Sequence, residues 1–341
     1  MHQHTIQKSK IISSGIYLPK QKVKSDEWFT EFRSEQQYNI PNDWMSTTMG
    51  IEERRVAPSD AKPSDLAIPA AQNALDSLKG VDLQDIDLVI FCGIERDNPE
   101  PATAHIIQSK LGLNAKHAFD VANACFGFVD GLQVASNYIA CGITKYALVV
   151  TGEVPSKVAI AVVDMLKRGV DIKTVNSFIG ALSVGDAGGA VVLGRCDKQE
   201  KSGFELFNSI TMSDLADKCH YKLKENGAVE GHMMMSSLTL AFIKQHYKLL
   251  KSTLDELGWS DFDWVLSHQI GQKPFEKLGE MNGFKSSRMI KTLDKLGNIT
   301  SATFPVNFHK LVTENKVCKG DRIGGCFAGS GIVIGQFGYT F

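Results

Sequence analysis

Residues 118–142 read AFDVANACFGFVDGLQVASNYIACG, and this stretch holds one cysteine at each end of a predicted helix. A short apolar segment leads into Cys125, and apolar residues then recur every three or four positions, which predicts a helix. Cys125 therefore lies where a strand turns into a helix, whereas Cys141 lies at the far end, just before the predicted C-cap Gly142. Because a helix start carries unpaired N–H groups and partial positive charge, we expect the pKa of the Cys125 thiol to be lowered.

The composition of the chain is that of an ordinary globular protein, with 341 residues, 43% hydrophobic and 22% charged. A net charge of −1 gives no basic surplus for nucleic-acid binding. Seven cysteines, with no C-x-x-C pair, fit a reducing compartment and indicate neither a zinc site nor a redox motif. With no signal peptide and no apolar run of ~18 residues, we expect a cytoplasmic protein without a membrane span, metal or cofactor. His2 and His4 are expected to belong to a frayed terminus.

Two segments of the chain resemble each other and indicate an internal duplication. Residues 85–92 (DIDLVIFC) and 261–268 (DFDWVLSH) both follow a helix-like stretch and have the pattern of buried strands. The offset between them is 176 residues, and the same offset carries Cys125 to Ser301, at the start of another predicted helix. Each half alternates strands with helices, which predicts an α/β fold with largely parallel sheets and a site where helix starts from both halves meet.

The predicted boundaries divide the chain into a half that carries the nucleophile, residues 1–195, and a half that carries its partners, residues 196–341. Residues 155–180 and 202–235 do not fit the repeat and are interpreted as insertions that cover the site. The run DAGGAVVLG at 186–194 lacks both G-x-G-x-x-G and a following helix, so it predicts entry into a strand rather than a nucleotide loop.

A cysteine nucleophile requires a group that exchanges protons with it and donors for the oxyanion. His268 ends the predicted strand VLSH, and Asn298 lies in the turn LGNI before a predicted helix. Taken alone, His268 fits a hydrogen-bonded core histidine, and Asn298 fits a turn or N-cap residue. Both fall at the positions where the first half places Cys92 and the Cys125 turn, so we predict that they join Cys125 in one site.

The order of motifs resembles that of thiolase-superfamily condensing enzymes of the ketoacyl-ACP synthase III type. The stretches FDVANACFGF, GDAGGAVVLG, SHQIGQKP, LGNITSATFPV and GDRIGGCFAGSGIVIG follow one another as in that family. The resemblance implies a duplicated five-layered α-β-α-β-α thiolase fold, a homodimer, acyl-CoA or acyl-carrier-protein substrates and a Cys125–His268–Asn298 triad. It also implies an oxyanion hole formed by the backbone N–H groups of Cys125 and Gly331.

A finer resemblance links ERDNPEPATA at 95–104 and VVDMLKRGVDIKTVNSF at 162–178 to the OleA-type condensing enzymes of the olefin pathway. In that group a glutamate enters the partner subunit's site and removes an α-proton, which here implies Glu100. From residue chemistry alone, Glu100 is a solvated loop carboxylate beside two prolines. With the resemblance, we expect an acyltransferase that joins fatty acyl thioesters by non-decarboxylative Claisen condensation through an acyl-cysteine, giving a β-keto acid or related product.

The residues that would contact the substrate carrier are less clearly marked. Trp44 falls where the family has an adenine-stacking tryptophan, but its arginine four positions on is replaced here by Thr48. Arg54 and Arg55 are candidates for phosphate contacts and fit a solvated charge pair equally well. For the methionines at 233–235, core packing is favoured over an acyl tunnel.

Three alternatives to this function stay open. One is decarboxylative synthesis with a malonyl thioester, as in fatty-acid initiation. Another is acyl transfer from the cysteine to oxygen, nitrogen or a specialised acceptor, as in pyrone or signal biosynthesis. The last is a non-catalytic heterodimer partner, which the intact triad disfavours.

Overall fold

The structure is a computed structural model that describes residues 8–197, 199–224, 226, 228–233 and 235–341. His2, His4 and Met234 lie outside the described residues, and the side chains at 233 and 235 are also outside this description. Within the part of the chain that is described, no helix is both long and apolar enough to cross a membrane.

The described residues form strands and helices that alternate along most of the chain. The strands are β1 (Ser9–Tyr17), β2 (Gln21–Lys24), β3 (Glu53–Val56), β4 (Ile86–Cys92), β5 (His117–Val121), β6 (Tyr146–Glu153), β7 (Ala187–Arg195), β8 (Gly203–Thr211), β9 (Cys219–Leu223), β10 (Val229–Met233), β11 (Trp264–Ser267), β12 (Arg322–Gly329) and β13 (Val333–Thr340). The α-helices are α1 (Ser25–Glu31), α2 (Ser34–Tyr38), α3 (Trp44–Met49), α4 (Pro63–Asp76), α5 (Thr103–Lys110), α6 (Gly127–Ala140), α7 (Ser156–Lys167), α8 (Ile172–Phe178), α9 (Met235–Leu257), α10 (Gln272–Asn282), α11 (Leu293–Leu296) and α12 (Thr303–Thr313).

Two mixed sheets repeat one topology. The first has the strand order β1-β7-β6-β4-β5, and the second has the order β8-β13-β12-β11. In each sheet the first two strand pairings after the edge are antiparallel and the next is parallel. In the second sheet a single bridge between Val265 and Met289 takes the place of β5. Ser301 lies two residues before the start of α12, as Cys125 lies two residues before the start of α6, so the predicted duplication is confirmed.

The expectation of largely parallel sheets is wrong. Pairings β6–β7, β7–β1, β12–β13 and β13–β8 are all antiparallel. The reason is clearest between β12 and β13, where a connection of only three residues, 330–332, leaves no length for the crossover that parallel neighbours require.

Five layers stack in the order helix, sheet, helix, sheet, helix, as expected for the thiolase fold. Helices α6 and α12 form the middle layer, where the Phe128 and Phe304 rings stack with centroids 5.6 Å apart. Helices α4 and α5 cover the outer face of the first sheet, and α9 and α10 cover that of the second. Side-chain alternation produces this arrangement, because Ile90 of β4 faces α6 whereas its neighbour Val89 faces the outer helices.

The segments predicted to be insertions differ in kind. Residues 155–180 form α7, α8 and the beginning of a 3₁₀ turn at Ile179–Ser183, and β9 pairs with β10 in a separate hairpin. The interpretation of 202–235 as wholly inserted is wrong for β8, because β8 pairs with β13 as β1 pairs with β7. Only the part after β8 is additional to the repeat.

Candidate active site

Cys125 lies in a tight turn between β5 and α6. Ala124 has the positive φ of 46°, and the Phe126 N–H donates to the Asn123 carbonyl at 3.0 Å. Strained backbone of this kind is concentrated at functional sites. Gly329 of the second half packs against the same turn, since a Cβ there would lie 2.8 Å from the Asn123 oxygen. The two halves of the chain therefore meet at the cysteine.

His268 directly follows β11. Its N–H donates to the Cys326 carbonyl at 3.0 Å and extends the parallel pairing with β12 by one residue. The side chain is 7% exposed, and Nδ1 has no hydrogen-bond partner among the described residues. Burial lowers the pKa of His268 to about 4. The imidazole is therefore neutral at pH 7, with a nitrogen able to accept a proton.

Asn298 is held on both sides by the chain that follows α8. Its N–H donates to the Ser183 carbonyl at 2.9 Å, and its carbonyl accepts from the Gly185 N–H at 3.1 Å. The side-chain Oδ1 accepts from the Thr300 N–H at 3.0 Å. With Oδ1 in use, the amide nitrogen Nδ2 is the donor that Asn298 can offer to a ligand.

Cys125, His268 and Asn298 line one cavity of about 120 Å³. The structure thus brings together the three residues that the sequence singled out. The remaining wall is mainly apolar and is formed by Ile94, Pro155, Val158, Gly180, Ala181, Ser183, Val184, Cys219, Tyr221, Leu238, Phe242, Ile270, Thr300, Ala328, Gly329, Ser330 and Ile332. Residues of 155–180 and of β9 are among them, so both segments predicted to be insertions contribute to the wall of this cavity.

The expected lowering of the Cys125 pKa is wrong. Burial raises the pKa of the thiol, and the nearby carboxyl of Glu153 raises it further, whereas a backbone N–H lowers it. The backbone N–H of Cys125 itself acts in the predicted direction, but loss of hydration is the larger effect. The resting cysteine is a thiol, and a base must take its proton when it attacks.

Glu153 is a buried carboxyl beside the cysteine that sequence reasoning missed. It ends β6, is 2% exposed, and accepts hydrogen bonds from the Ser301 hydroxyl and, at 3.3 Å, from the Ile94 N–H. Burial raises the pKa of Glu153 to about 8. The sequence did contain a sign of it, because Glu153 is the last residue of an apolar strand, and His268 likewise stands at the end of one. Glu95 is half-buried in the same region, and burial raises its pKa as well.

Glu100 and the two arginines lie outside this cavity. Glu100 is exposed, in the loop before α5. Arg54 is wholly buried, with its guanidinium over the Trp28 ring, so an external phosphate cannot reach it. Arg55 lines a different cleft, on the far side of β3, and donates to the Pro19 carbonyl at 3.0 Å. The phosphate role considered for Arg54 is therefore corrected, and Arg55 is separate from the cysteine site.

A larger outer cleft of about 980 Å³ adjoins the inner cavity. The two share Gly180, Ser183 and Ile270, and Trp44 lines the outer one. Gly331 is exposed between Ser330 and Ile332, which both line the inner cavity. Within the described part of the chain, no group of three or more His, Cys, Asp or Glu residues is arranged to hold a metal ion.

Comparison with known proteins places this architecture in a family. The family model for 3-oxoacyl-[acyl-carrier-protein] synthase III matches residues 119–214, and the model for its C-terminal part matches residues 254–339. Beta-ketoacyl-[acyl-carrier-protein] synthase III 1 of Vibrio parahaemolyticus is 30% identical over 92% of this chain and 94% of its own. The synthase III of Neisseria meningitidis is 30% identical over 96% of this chain and 99% of its own. The chain belongs to the 3-oxoacyl-ACP synthase III family.

Membership makes the chain an acyltransferase of the condensing-enzyme type, with the thiolase fold. Crystal structures of Xanthomonas campestris OleA have the same fold. A variant of it superimposes with a TM-score of 0.92 at 24% identity, over 100% of this chain and 99% of that one. Another OleA structure, with bound lauric acid and lauroyl-CoA, gives a TM-score of 0.91 at 24% identity, over 98% and 100% of the two chains.

Proposed function

We propose that this synthase III family member joins two fatty acyl thioesters by a non-decarboxylative Claisen condensation through an acyl-Cys125 intermediate. The observation that carries the proposal is the meeting of a thiol, a neutral imidazole and an amide donor in one apolar cavity. An apolar wall suits an acyl chain, and the three polar groups suit a thioester carbonyl.

In the first half-reaction, His268 accepts the Cys125 proton as the sulfur attacks the thioester carbonyl of the first substrate. The low pKa of His268 keeps its imidazole neutral and able to accept a proton. The raised pKa of the Cys125 thiol makes the transfer of its proton necessary. Backbone N–H groups of Cys125 and Gly331 stabilise the oxyanion, with one such donor contributing about 3 kcal/mol. The carrier thiolate leaves and is protonated, which completes the acyl-enzyme.

In the second half-reaction, Glu100 of the partner subunit removes the α-proton of the second acyl thioester. His268 and Asn298 donate to the carbonyl of that thioester and stabilise the enolate. The α-carbon attacks the acyl-Cys125 carbonyl, the C–S bond breaks and the thiolate regains a proton. The product is a β-ketoacyl thioester, and hydrolysis releases the β-keto acid. A malonyl substrate would generate its carbanion by losing CO2, whereas a simple acyl thioester requires such a base.

The cross-subunit role of Glu100 is supported by its place beside a sheet edge. Asp120 of β5 accepts hydrogen bonds from the Thr103 and Ala104 N–H groups at 2.8 and 2.9 Å, which fixes the start of α5 to β5. β5 is an edge of the first sheet in the part of the chain described, with β4 on its other side. We propose a homodimer in which this edge pairs with its copy. Glu100, three residues before α5, then lies next to the partner's cavity.

We propose that the carrier arm of the substrate occupies the outer cleft, with Trp44 as a stacking surface. Its volume is within the range of ligand pockets, and it leads to the inner cavity past Gly180 and Ser183. OleA of X. campestris crystallises with lauroyl-CoA, which supports a CoA thioester, while the names of the curated relatives support an acyl-carrier protein. We also propose that the chain divides into two halves at residues 195/196 and that the protein is cytoplasmic.

Mass spectrometry of the products tests the function. Purified protein would receive one long-chain acyl-CoA and no malonyl thioester, beside Cys125→Ala, Glu100→Gln and, as a control, exposed Glu280→Gln. We expect a β-keto acid, or the ketone formed from it by loss of CO2, from the wild type and the control. Both other variants should give none, and only Glu100→Gln should still accumulate the acyl-enzyme.

Decarboxylative synthesis is the second candidate, because the curated relatives carry the synthase III name. Product that forms only after a malonyl thioester is added, with Glu100→Gln fully active, would establish it. Acyl transfer to an oxygen, nitrogen or specialised acceptor would instead leave a stable acyl-Cys125 and no C–C product under either condition.

A further inference from the structure

Arg54 is a buried cation without an acidic partner. Its side chain is 0% exposed, and within the described residues no carboxylate lies within ion-pair distance of it. Burial lowers the pKa of its guanidinium to about 10, yet it stays charged at pH 7. Removing a charge from water without an opposite charge is strongly unfavourable. The contacts of the guanidinium must therefore offset this cost.

The guanidinium joins an N-terminal segment to the wall of the cavity. Nη1 donates to the Leu182 carbonyl at 2.5 Å, and Nη2 donates to the Ser25 hydroxyl at 2.6 Å. The Trp28 ring lies 4.5 Å from its central carbon and supplies a cation–π contact. All of these partners are themselves buried. Arg54 therefore holds Leu182 against a rigid support.

Leu182 begins the stretch that holds Asn298. The next residue, Ser183, accepts from the Asn298 N–H, and the Gly185 N–H donates to the Asn298 carbonyl. A Cβ on Gly185 would lie 2.1 Å from the Leu296 oxygen and 3.0 Å from the Arg54 Cβ, so the three segments are in direct contact. Ser183 and Val184 also line the inner cavity.

We propose that Arg54 is a positioning residue that fixes residues 182–185 and, through them, the placement of Asn298 in the cavity. The inference rests on the proposed function, in which Asn298 stabilises the enolate of the second substrate. Acylation of Cys125 does not require that contact. Loss of Arg54 should therefore slow condensation much more than acylation.

Single-turnover kinetics separate the two steps. Acylation would be followed by intact-protein mass spectrometry with lauroyl-CoA, and condensation by the β-keto product. For Arg54→Gln we expect acylation within about threefold of wild type and condensation at least about tenfold slower. Arg54→Lys, which keeps the charge and one donor, should be intermediate and provides a second variant if the glutamine variant is unstable. Arg195→Gln is the control, since Arg195 also donates to a buried helix carbonyl, that of Ile139, but far from the site.

A double-mutant cycle with Asn298→Ala decides whether the effect passes through Asn298. We expect the double variant to condense at the rate of Asn298→Ala alone, because the arginine has nothing further to position. If the rates of acylation and condensation fall equally, or if the losses of condensation rate multiply in the double variant, the proposed role of Arg54 is wrong. The proposed function would be unaffected by that result. Normal condensation by Asn298→Ala would overturn the proposed function and this inference together.

Discussion

Burial shifts the pKa values of several titratable side chains in or near the inner cavity. The pKa is raised for Cys125 and Tyr221, raised to about 8 for Glu153 and lowered to about 4 for His268. At neutral pH the resting site therefore holds a thiol, a neutral imidazole and a mostly protonated carboxyl. Charge develops only as the reaction proceeds, in a site where fixed donors are most effective.

Alkylation of Cys125 tests the raised thiol pKa. Because burial disfavours the thiolate, the rate of reaction with iodoacetamide should keep rising above pH 9. Peptide mass spectrometry would follow Cys125 beside exposed Cys318 as an internal reference. A rate for Cys125 that reaches its plateau below pH 7 would contradict the prediction and indicate a preformed thiolate–imidazolium pair.

Glu153 should make stability depend on pH. Its pKa is raised from 4.5 in the unfolded chain to about 8 in the folded protein. Between these values the folded state holds a proton that the unfolded state has lost, so the free energy of unfolding falls as pH rises through this window, by a few kcal/mol. Glu153→Gln should not show this contribution.

The measurement is urea unfolding of Glu153→Gln, wild type and the exposed control Glu280→Gln at pH 5 and pH 8.5. The histidines with lowered pKa values are present in all three proteins, so their effect cancels in the comparison. An unchanged difference between wild type and Glu153→Gln at the two pH values would show that the carboxyl is ionised throughout.

At the scale of elements, helix α4 approaches the first sheet unusually closely. Gly152 of β6 and Gly188 of β7 are cross-strand partners, and together they give the sheet a surface without side chains under the helix. A Cβ on Gly188 would lie 2.1 Å from the Leu66 oxygen. The facing side of the helix is rich in alanine, with Ala67, Ala70, Ala71 and Ala74 fully buried. Small residues on both surfaces fix the distance between α4 and the sheet, and the same strand β6 ends at Glu153.

Gly188→Ala should destabilise the protein by about 3 kcal/mol or more, because the added methyl collides with backbone that cannot rotate away. Gly80→Ala is the matched control. Gly80 has a positive φ of 70° and open space around it, so only backbone strain of about 1 kcal/mol applies. Thermal unfolding would compare the two, and equal losses would mean that α4 can shift away from the sheet.

At the scale of the whole molecule, the cavity of one chain is incomplete for the proposed chemistry. Glu100, the proposed base, is exposed in its own chain, and its loop is attached to β5, an edge of the first sheet as far as the structure describes the chain. Two subunits paired at this edge would exchange bases between neighbouring sites. Dimer formation is then part of the mechanism rather than only of stability.

Mixing two inactive variants tests this exchange. A heterodimer of Cys125→Ala and Glu100→Gln has one site with both the cysteine and the partner's glutamate. Random exchange of subunits should restore about a quarter of wild-type activity. Native mass spectrometry would verify heterodimer formation, and heterodimers that remain inactive would show that Glu100 does not act across the interface.

Much of the architecture could be predicted because duplication and periodicity are local patterns. The repeat at residues 85–92 and 261–268 led to the matching sheets, and the helix after Cys125 begins two residues beyond it. Strand direction could not be predicted from local patterns, because it depends on the length of the connections. The place of β8 in the repeat could not be predicted either, because it depends on pairing with β13, which is distant in the sequence. Arg54 was considered as a surface residue because sequence does not reveal that a charged side chain is buried.

The sequence alone determined the family, the duplicated layered fold and the set Cys125, His268 and Asn298, because these depend on ordered motifs and on strand ends and helix starts. Only the tertiary structure decided the electrostatics. The raised pKa of Cys125, the burial of Glu153 and the contacts of Arg54 all depend on packing between segments far apart in the chain, which also removes water from these groups. Hydration is a property of the assembled surroundings, and no local pattern of residues specifies it.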